Sequence, residues 1–192
     1  MFTSASEPSF RKLLGADWPN LTDAQVVALA QHYELLLRWN VRLNLTRVSK
    51  LEESVRFHYG ESLFLAQVLP PGPLRIGDVG SGAGFPGIPI AVARPECSVD
   101  LIESDLRKAV FLREASRGMA NITVLARRAK ECETAYDWIV SRAVSVVEVL
   151  NTGLAPNAAL LIGEEDSLTA FEARKVPFEE RRIVGMFHVE QR

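Results

Sequence analysis

The stretch DVGSGAGFPG, Asp78 to Gly87, holds four glycines in ten residues, with an acid two places before the first. A short apolar run, Leu74 to Val79, leads into it, and a stretch with helical character, Phe85 to Ala93, leads out. A strand that ends in glycines and turns straight into a helix is a ligand-binding device. Glycine reaches positive φ without a steric cost and removes the Cβ atoms that would keep a ligand from the backbone. The helix beyond offers N–H groups that have no partner within the helix.

Working outward, the same alternation repeats. Ser98 to Ile102 reads as a second strand ending at Glu103, followed by a helix from Leu106 to Arg117. Ile122 to Leu125 and Asp137 to Val140 read as the third and fourth strands, Val144 to Leu150 as a helix, and Ala158 to Ile162 as a fifth strand. Strands alternating with helices predict an α/β fold, a mostly parallel Rossmann-like sheet with helices on both faces. Phe178 to Val189 alternates apolar residues and is expected to add edge strands.

The first third has a different character. Thr22 and Asp23 predict the cap of a helix that carries Val26, Val27, Leu29, Ala30, Tyr33, Leu36 and Leu37 at helical spacing. Leu51 to Leu69 predicts one or two further helices, and Leu69-Pro70-Pro71-Gly72-Pro73 ends them in a connector. The expected organisation is an N-terminal helical extension over residues 1–69, packed on a core over 70–192.

Composition narrows the class. At 47% hydrophobic over 192 residues the chain can bury a core of its own, and a net charge of −2 gives no global nucleic-acid signature. Cys97 and Cys132 stand far apart with no CxxC spacing, which argues against a disulfide framework or a metal site and fits a reducing cytoplasm. The N-terminus has no basic stretch followed by an apolar run, and no apolar run approaches the length of a membrane span, so neither a signal peptide nor a membrane protein is expected. Nothing demands an obligate dimer, and a monomer is expected.

In a doubly wound sheet the ligand lies beyond the carboxyl ends of the strands, where this loop falls. Two ligand classes fit. Gly82, Gly84 and Gly87 satisfy the dinucleotide pattern GxGxxG, but Pro86 removes an N–H donor and Asp78 sets a negative charge beside the phosphates. S-adenosylmethionine carries a positive ammonium and sulfonium and no phosphate, so a carboxylate at Asp78 favours it. Glu103 at the end of the second strand can accept from ribose hydroxyls with either ligand. A purely structural glycine turn capped by Asp78 is the plainest alternative.

The acceptor is constrained by what is missing. Enzymes that methylate exocyclic amines often carry Asn/Asp-Pro-Pro-Tyr/Phe after the fourth strand. Here Asp137-Trp138-Ile139-Val140-Ser141-Arg142-Ala143 has neither that clamp nor a nucleophilic cysteine. Basic residues flank the expected ligand side: Arg107 and Lys108 after Glu103, Arg127 and Arg128 after the third strand, Arg142 after the fourth. Arg38, Arg42, Arg47, Lys50 and Arg56, near Trp39 and Tyr59, add charge interleaved with aromatics that suits nucleic acid. The bland reading of each is a solvated surface. Likewise His58 reads as a packed or capping residue or as an RNA contact, and His32 and His188 have no partner visible in the sequence.

Taken in order, Arg38-Trp39-Asn40, Asn44-Leu45-Thr46, HYGESL from His58 to Leu63, DVGSGAGFPGIPIA, Leu101-Ile102-Glu103-Ser104, Phe111-Leu112 and Ser141-Arg142-Ala143 resemble the bacterial ribosomal RNA small-subunit methyltransferase G family, also called glucose-inhibited division protein B. The likeness runs from about Leu35 to Ile162, and the pairing of GAGFPG with SRA is what makes it specific. It implies a class I S-adenosylmethionine-dependent methyltransferase fold and transfer to N7 of one guanine in 16S ribosomal RNA, with that RNA or the small ribosomal subunit as partner. It implies cofactor contacts at Gly80, Phe85, Glu103, Ala129, Lys130 and Arg142. These join Asp78, Gly82 and Gly84 from the loop itself, and Arg142 is the candidate for positioning cofactor or guanine. Arg38, Arg42, Arg47, His58, Arg107, Lys108 and Arg128 are the RNA-contact candidates.

The implied target agrees with the missing devices. Guanine N7 has a free lone pair and no proton to lose, so no general base is needed, only in-line placement. Three departures from the family pattern stand out. Ile162-Gly163 followed by Glu164-Glu165-Asp166 replaces a usual Lys-Gly, Lys130 stands where Glu is usual with Glu131 next to it, and HYGESL brings Gly60 into a helix at a cost of about 0.5–1 kcal/mol. The alternatives are a small-molecule methyltransferase, a nucleotide-dependent oxidoreductase and a non-catalytic RNA-binding scaffold.

Overall fold

A computed structural model describes residues 7–15, 17–18, 20–163, 172–177 and 182–188. Helices α1 (Glu7–Gly15) and α2 (Asp23–Leu43) come first, then a continuous helical run: α3 (Leu51–Ser54), a π turn (Val55–Gly60) and α4 (Glu61–Val68). The core follows as β1 (Arg75–Val79), α5 (Gly87–Ala93), β2 (Ser98–Ile102), α6 (Leu106–Ala115), β3 (Ile122–Leu125), β4 (Trp138–Arg142), α7 (Val146–Leu150), β5 (Asn157–Gly163), β6 (Glu172–Lys175) and β7 (Arg182–His188).

The seven strands form one sheet in the order β3-β2-β1-β4-β5-β7-β6. β1 to β5 are parallel, whereas β7 runs antiparallel to both β5 and β6. The order reverses between β1 and β4, so the crevice for a ligand opens there, at the carboxyl ends. The expected α/β class and Rossmann-like sheet hold. The expected edge strand in the tail is corrected: β7 is an interior strand, because Ile183, Val184, Met186 and Phe187 are buried on alternate faces, and the short polar β6 forms the edge. The acids Glu164, Glu165 and Asp166 lie outside the described residues.

The helices are unevenly shared between the faces. Ile76, Val99, Leu101, Val140 and Leu161 join one apolar cluster with Phe10 of α1, Leu29 and Leu36 of α2, Leu63 and Leu65 of α4, Ile88 and Ile90 of α5, and Phe111 and Leu112 of α6. The opposite face, with Ile102, Ile139, Leu160 and Phe187, packs on Val149 of α7, Tyr136 and Leu154. The N-terminal helices therefore share a core with the sheet.

Local chemistry explains the boundaries. Thr22 caps α2 in a reciprocal box: Oγ1 accepts the Gln25 N–H, and Gln25 Oε1 accepts the Thr22 N–H at 2.8 Å. The same Gln25 donates to the Val92 carbonyl at 2.8 Å, docking the start of α2 on the end of α5. Helix α7 starts two residues later than its apolar pattern predicts, because its N-cap Ser145 has ψ 132°, outside the helical region. Among the described residues no helix is long and apolar enough to cross a membrane.

Candidate active site

The glycine loop is held by backbone bonds to the second strand. Gly80 and Ser81 both donate their amides to the Ile102 carbonyl, at 2.9 and 3.2 Å. Gly82, at φ 53°, donates its amide to Glu103 Oε2 at 2.9 Å, while Glu103 Oε1 accepts the Asp105 N–H at 2.8 Å. One carboxylate thus ties the loop to the start of α6. On the other flank, Ser141 Oγ donates to the Val79 carbonyl at 2.7 Å, locking the end of β4 to the end of β1. A Cβ on Gly80 would come within 2.7 Å of Val144 Cγ2, so the loop and the segment after β4 meet without room for a side chain.

Clefts of about 300–1,000 Å³ take small-molecule ligands and cofactors. The one at these strand ends measures ≈ 530 Å³ and is walled by Gly80, Ser104, Arg128, Ala129, Lys130 and Val144, with Glu148 and Asn151 at its side. It brings together four expected residues, Gly80, Arg128, Ala129 and Lys130. Arg128 also belongs to a short turn in which Glu131 Oε2 accepts its amide at 3.1 Å. Another cavity, of ≈ 440 Å³ between Trp18, Leu63 and Arg94, lies away from these loops; on its wall Gln25 donates to the Val92 carbonyl, and Arg94 donates to Glu96 and to the Gly72 carbonyl.

Three expected contacts take different places. Asp78 is fully buried: its Oδ2 accepts the Gly87 N–H at 3.1 Å, and its Oδ1 has no hydrogen-bond partner among the described residues. Burial pushes its carboxyl up to about 7, against the pull of the Ser81 and Gly87 donors. Asp78 therefore sits beneath the loop rather than at its mouth. Phe85 is also buried, its ring against His32, His58 and Tyr59 at 5.2, 4.8 and 5.0 Å. Its side chain anchors the loop to the N-terminal helices.

His58 is corrected as an RNA contact. It is 6% exposed, and both ring nitrogens are engaged: Nδ1 lies 2.7 Å from Arg142 Nη1 and Nε2 lies 2.7 Å from Thr46 Oγ1. Burial and the Arg142 charge lower its pKa to about 3, so the ring is neutral. The adjacent Tyr59 donates to His32 Nδ1 at 2.8 Å, and His32 Nε2 donates to the Ala83 carbonyl in the glycine loop at 3.0 Å. Burial lowers His32 to about 4. Arg142 is mostly covered, and its Nε faces the buried Glu61 at 3.5 Å, with Arg182 Nε 3.9 Å from the other Glu61 oxygen. Thr46, Tyr59 and Glu61 stand in stretches that carry the family resemblance but have no role legible in the sequence, and Arg182 belongs to no local motif. Arg38, Arg42, Arg47 and Arg107 are exposed, Lys108 half-buried. Asp105 caps α6 by accepting the backbone amides of Arg107 and Lys108.

The fold and the crevice at its switch point define a class I methyltransferase. It is similar to a SAM-dependent methyltransferase from Aquifex aeolicus, at TM-score 0.56 and 12% identity, covering 72% of this chain and 93% of that one. It is similar as well to the Methanococcus jannaschii fibrillarin pre-rRNA processing protein, at TM-score 0.55 and 14% identity over 70% and 76%. These likenesses carry the fold. Residues 25–164 match the GidB family, rRNA small subunit methyltransferase G, and the chain belongs to that family. Relatives called ribosomal RNA small subunit methyltransferase G include the Dichelobacter nodosus protein, 39% identical over 86% of this chain and 77% of that one. The Desulforamulus reducens protein is 36% identical over 71% of this chain, and the match spans 61% of its length.

Proposed function

We propose that the protein is an S-adenosylmethionine-dependent methyltransferase that modifies N7 of a guanine in 16S ribosomal RNA. The observation that carries this reading is the cleft at the β1/β4 switch point, walled by Gly80, Ala129 and Lys130, in a chain whose residues 25–164 match the family. On this reading residues 1–69 are an extension packed on the methyltransferase core of 70–192, and the protein works in the cytoplasm as a monomer on the small ribosomal subunit.

The residues present suit this cofactor. The oxygens of Glu103 each accept one amide and keep lone-pair capacity for a ribose hydroxyl. Oδ1 of Asp78, without a hydrogen-bond partner among the described residues, supplies negative potential under the loop once the carboxyl ionises, near pH 7. When bound, S-adenosylmethionine supplies an electrophilic methyl carbon. The protein's work is then placement: the Gly80–Gly82 backbone and Glu103 hold the ligand in the cleft, and Arg142 orients the base. No residue is assigned as a general base, because N7 has no proton to remove. Arg128 and Lys130 line the cleft and, with the exposed Arg38, Arg42, Arg47 and Arg107 and the half-buried Lys108 elsewhere on the surface, supply cations for phosphates.

The test is a titration with S-adenosylhomocysteine and with NAD, followed by methyl transfer to undermethylated small-subunit particles. Binding of the first ligand alone, with transfer to the RNA, supports the reading. Preference for NAD would return the chain to the oxidoreductases, and transfer to small molecules but not to RNA would redirect the substrate.

A further inference from the structure

A buried polar chain runs into Arg142 from the N-terminal segments, and its proton positions are determined. An arginine can only donate, so His58 Nδ1, 2.7 Å from Arg142 Nη1, must accept. A neutral ring then carries its proton on Nε2 and donates it to Thr46 Oγ1 at 2.7 Å. Thr46 Oγ1 also accepts the Val48 N–H at 3.0 Å, and its own proton goes to the Val48 carbonyl at 3.2 Å. Every donor in the series finds an acceptor, and the opposite tautomer would set two N–H groups against each other at Arg142.

The guanidinium is hydrogen-bonded at Nη1 by His58, and its Nε faces the Glu61 carboxylate at 3.5 Å as an ion pair. A short hydrogen bond with a charge contact beside it restrains the plane of a rigid fork. His58 itself is carried on a π turn, a distortion that often marks functional segments. Arg142 ends β4, two residues before Val144 in the cleft wall, and 15% of its side chain remains exposed.

We propose that His58 is a positioning residue for methyl transfer: its Nδ1 lone pair sets the plane of the Arg142 guanidinium, and Thr46, by accepting the Nε2 proton, supports the tautomer that makes that lone pair available. This rests on the reading of the chain as a guanine methyltransferase. Guanine presents O6 as an acceptor beside N7. An N–H aimed at O6 orients the base and leaves the N7 lone pair free to attack, whereas a guanidinium turned out of that plane does neither.

Two measurements test it. Imidazole nitrogen NMR on the full chain, with no RNA, reads the tautomer directly. His58 is expected to be protonated on Nε2 alone, and Thr46→Val to mix the tautomers. A wild-type His58 protonated on Nδ1 overturns the proposal. Kinetics on small-subunit particles read the role. His58→Phe is expected to lower kcat about 10- to 100-fold with cofactor affinity unchanged, as a misplaced positioning group does. His58→Asn, whose Oδ1 falls where Nδ1 lies, is expected to recover most of that loss, and His58→Gln, which reaches toward Thr46 instead, is not. His58→Phe combined with Arg142→Lys is expected to be no slower than Arg142→Lys alone. Wild-type turnover in His58→Phe, or equal losses in the Asn and Phe variants, overturns the proposal. If His58→Phe does not fold, Thr46→Val takes its place, with a smaller loss expected and unchanged turnover counting against the proposal. A wild-type protein that methylates no RNA defeats the substrate reading instead, while the NMR result still decides the His58–Arg142 contact.

Discussion

Gly82 and Glu103, 21 residues apart, are joined by an amide-to-carboxylate hydrogen bond of 2.9 Å that fastens the glycine loop to the end of β2. The other Glu103 oxygen holds Asp105, the cap of α6. Glu103→Ala leaves two amides without their acceptor and is expected to lower stability by about 1–3 kcal/mol and to weaken cofactor binding further than that loss implies. Glu103→Gln keeps one acceptor and sets an NH2 against the other amide, so it is expected to be nearly as damaging. Calorimetric titration beside urea unfolding checks both. Unchanged affinity in either variant would remove Glu103 from the site.

Glu61 is expected to be a stability residue. It is buried between Arg142 and Arg182, so Glu61→Ala leaves a covered guanidinium without its countercharge. Breaking a buried pair from one side costs about 3–5 kcal/mol. Urea unfolding of Glu61→Ala should show a loss of that order, and a change below about 1 kcal/mol would mean that water already screens the pair.

Asp78 predicts a pH effect with a definite sign. Its native carboxyl titrates at about 7, above the ordinary 3.8, so between those values the unfolded chain has released a proton that the native chain keeps. This contribution is full below about pH 4 and is lost as pH rises through 7, at up to about 1.4 kcal/mol per pH unit. His32 and His58 act oppositely. Their native values of about 4 and about 3 lie below 6.5, so they cost stability as pH falls through that range. The difference between wild type and Asp78→Asn isolates the carboxyl. That variant is expected to gain on wild type as pH rises from 4 to 7, and parallel curves would mean that Asp78 is already ionised in the native state.

Arg128 and Lys130 are exposed beside the cleft. Replacing either by Ala is expected to weaken RNA binding at every salt concentration and to reduce the slope of log affinity against log salt by about 1. An unchanged slope would assign both residues to the cofactor side of the cleft or to solvent.

Legibility in the sequence follows the physics of each feature. The parallel strands β1, β2, β4 and β5 were visible as apolar runs because such strands are covered on both faces. The Thr22 cap was visible because it is local. The edge strand Glu172–Lys175 was not, because its residues are polar and mostly exposed and show no alternation. The glycine loop could be recognised, but not the burial of Asp78, which depends on Gly87 and Leu101 closing over it. His58 read as an RNA contact because its partners stand 12 residues before it and 84 after it. His32 showed no partner for the same reason: the Ala83 carbonyl is 51 residues away. Pairings across such distances leave no periodicity in the chain.

The most direct measurement is transfer of labelled methyl from S-adenosylmethionine to purified small-subunit particles that lack the modification, with the labelled nucleoside identified after digestion. The account predicts label in 7-methylguanosine at a single site in 16S RNA, diminished in Arg142→Lys. Label in another nucleoside, or no transfer by a protein that binds the cofactor tightly, would contradict it.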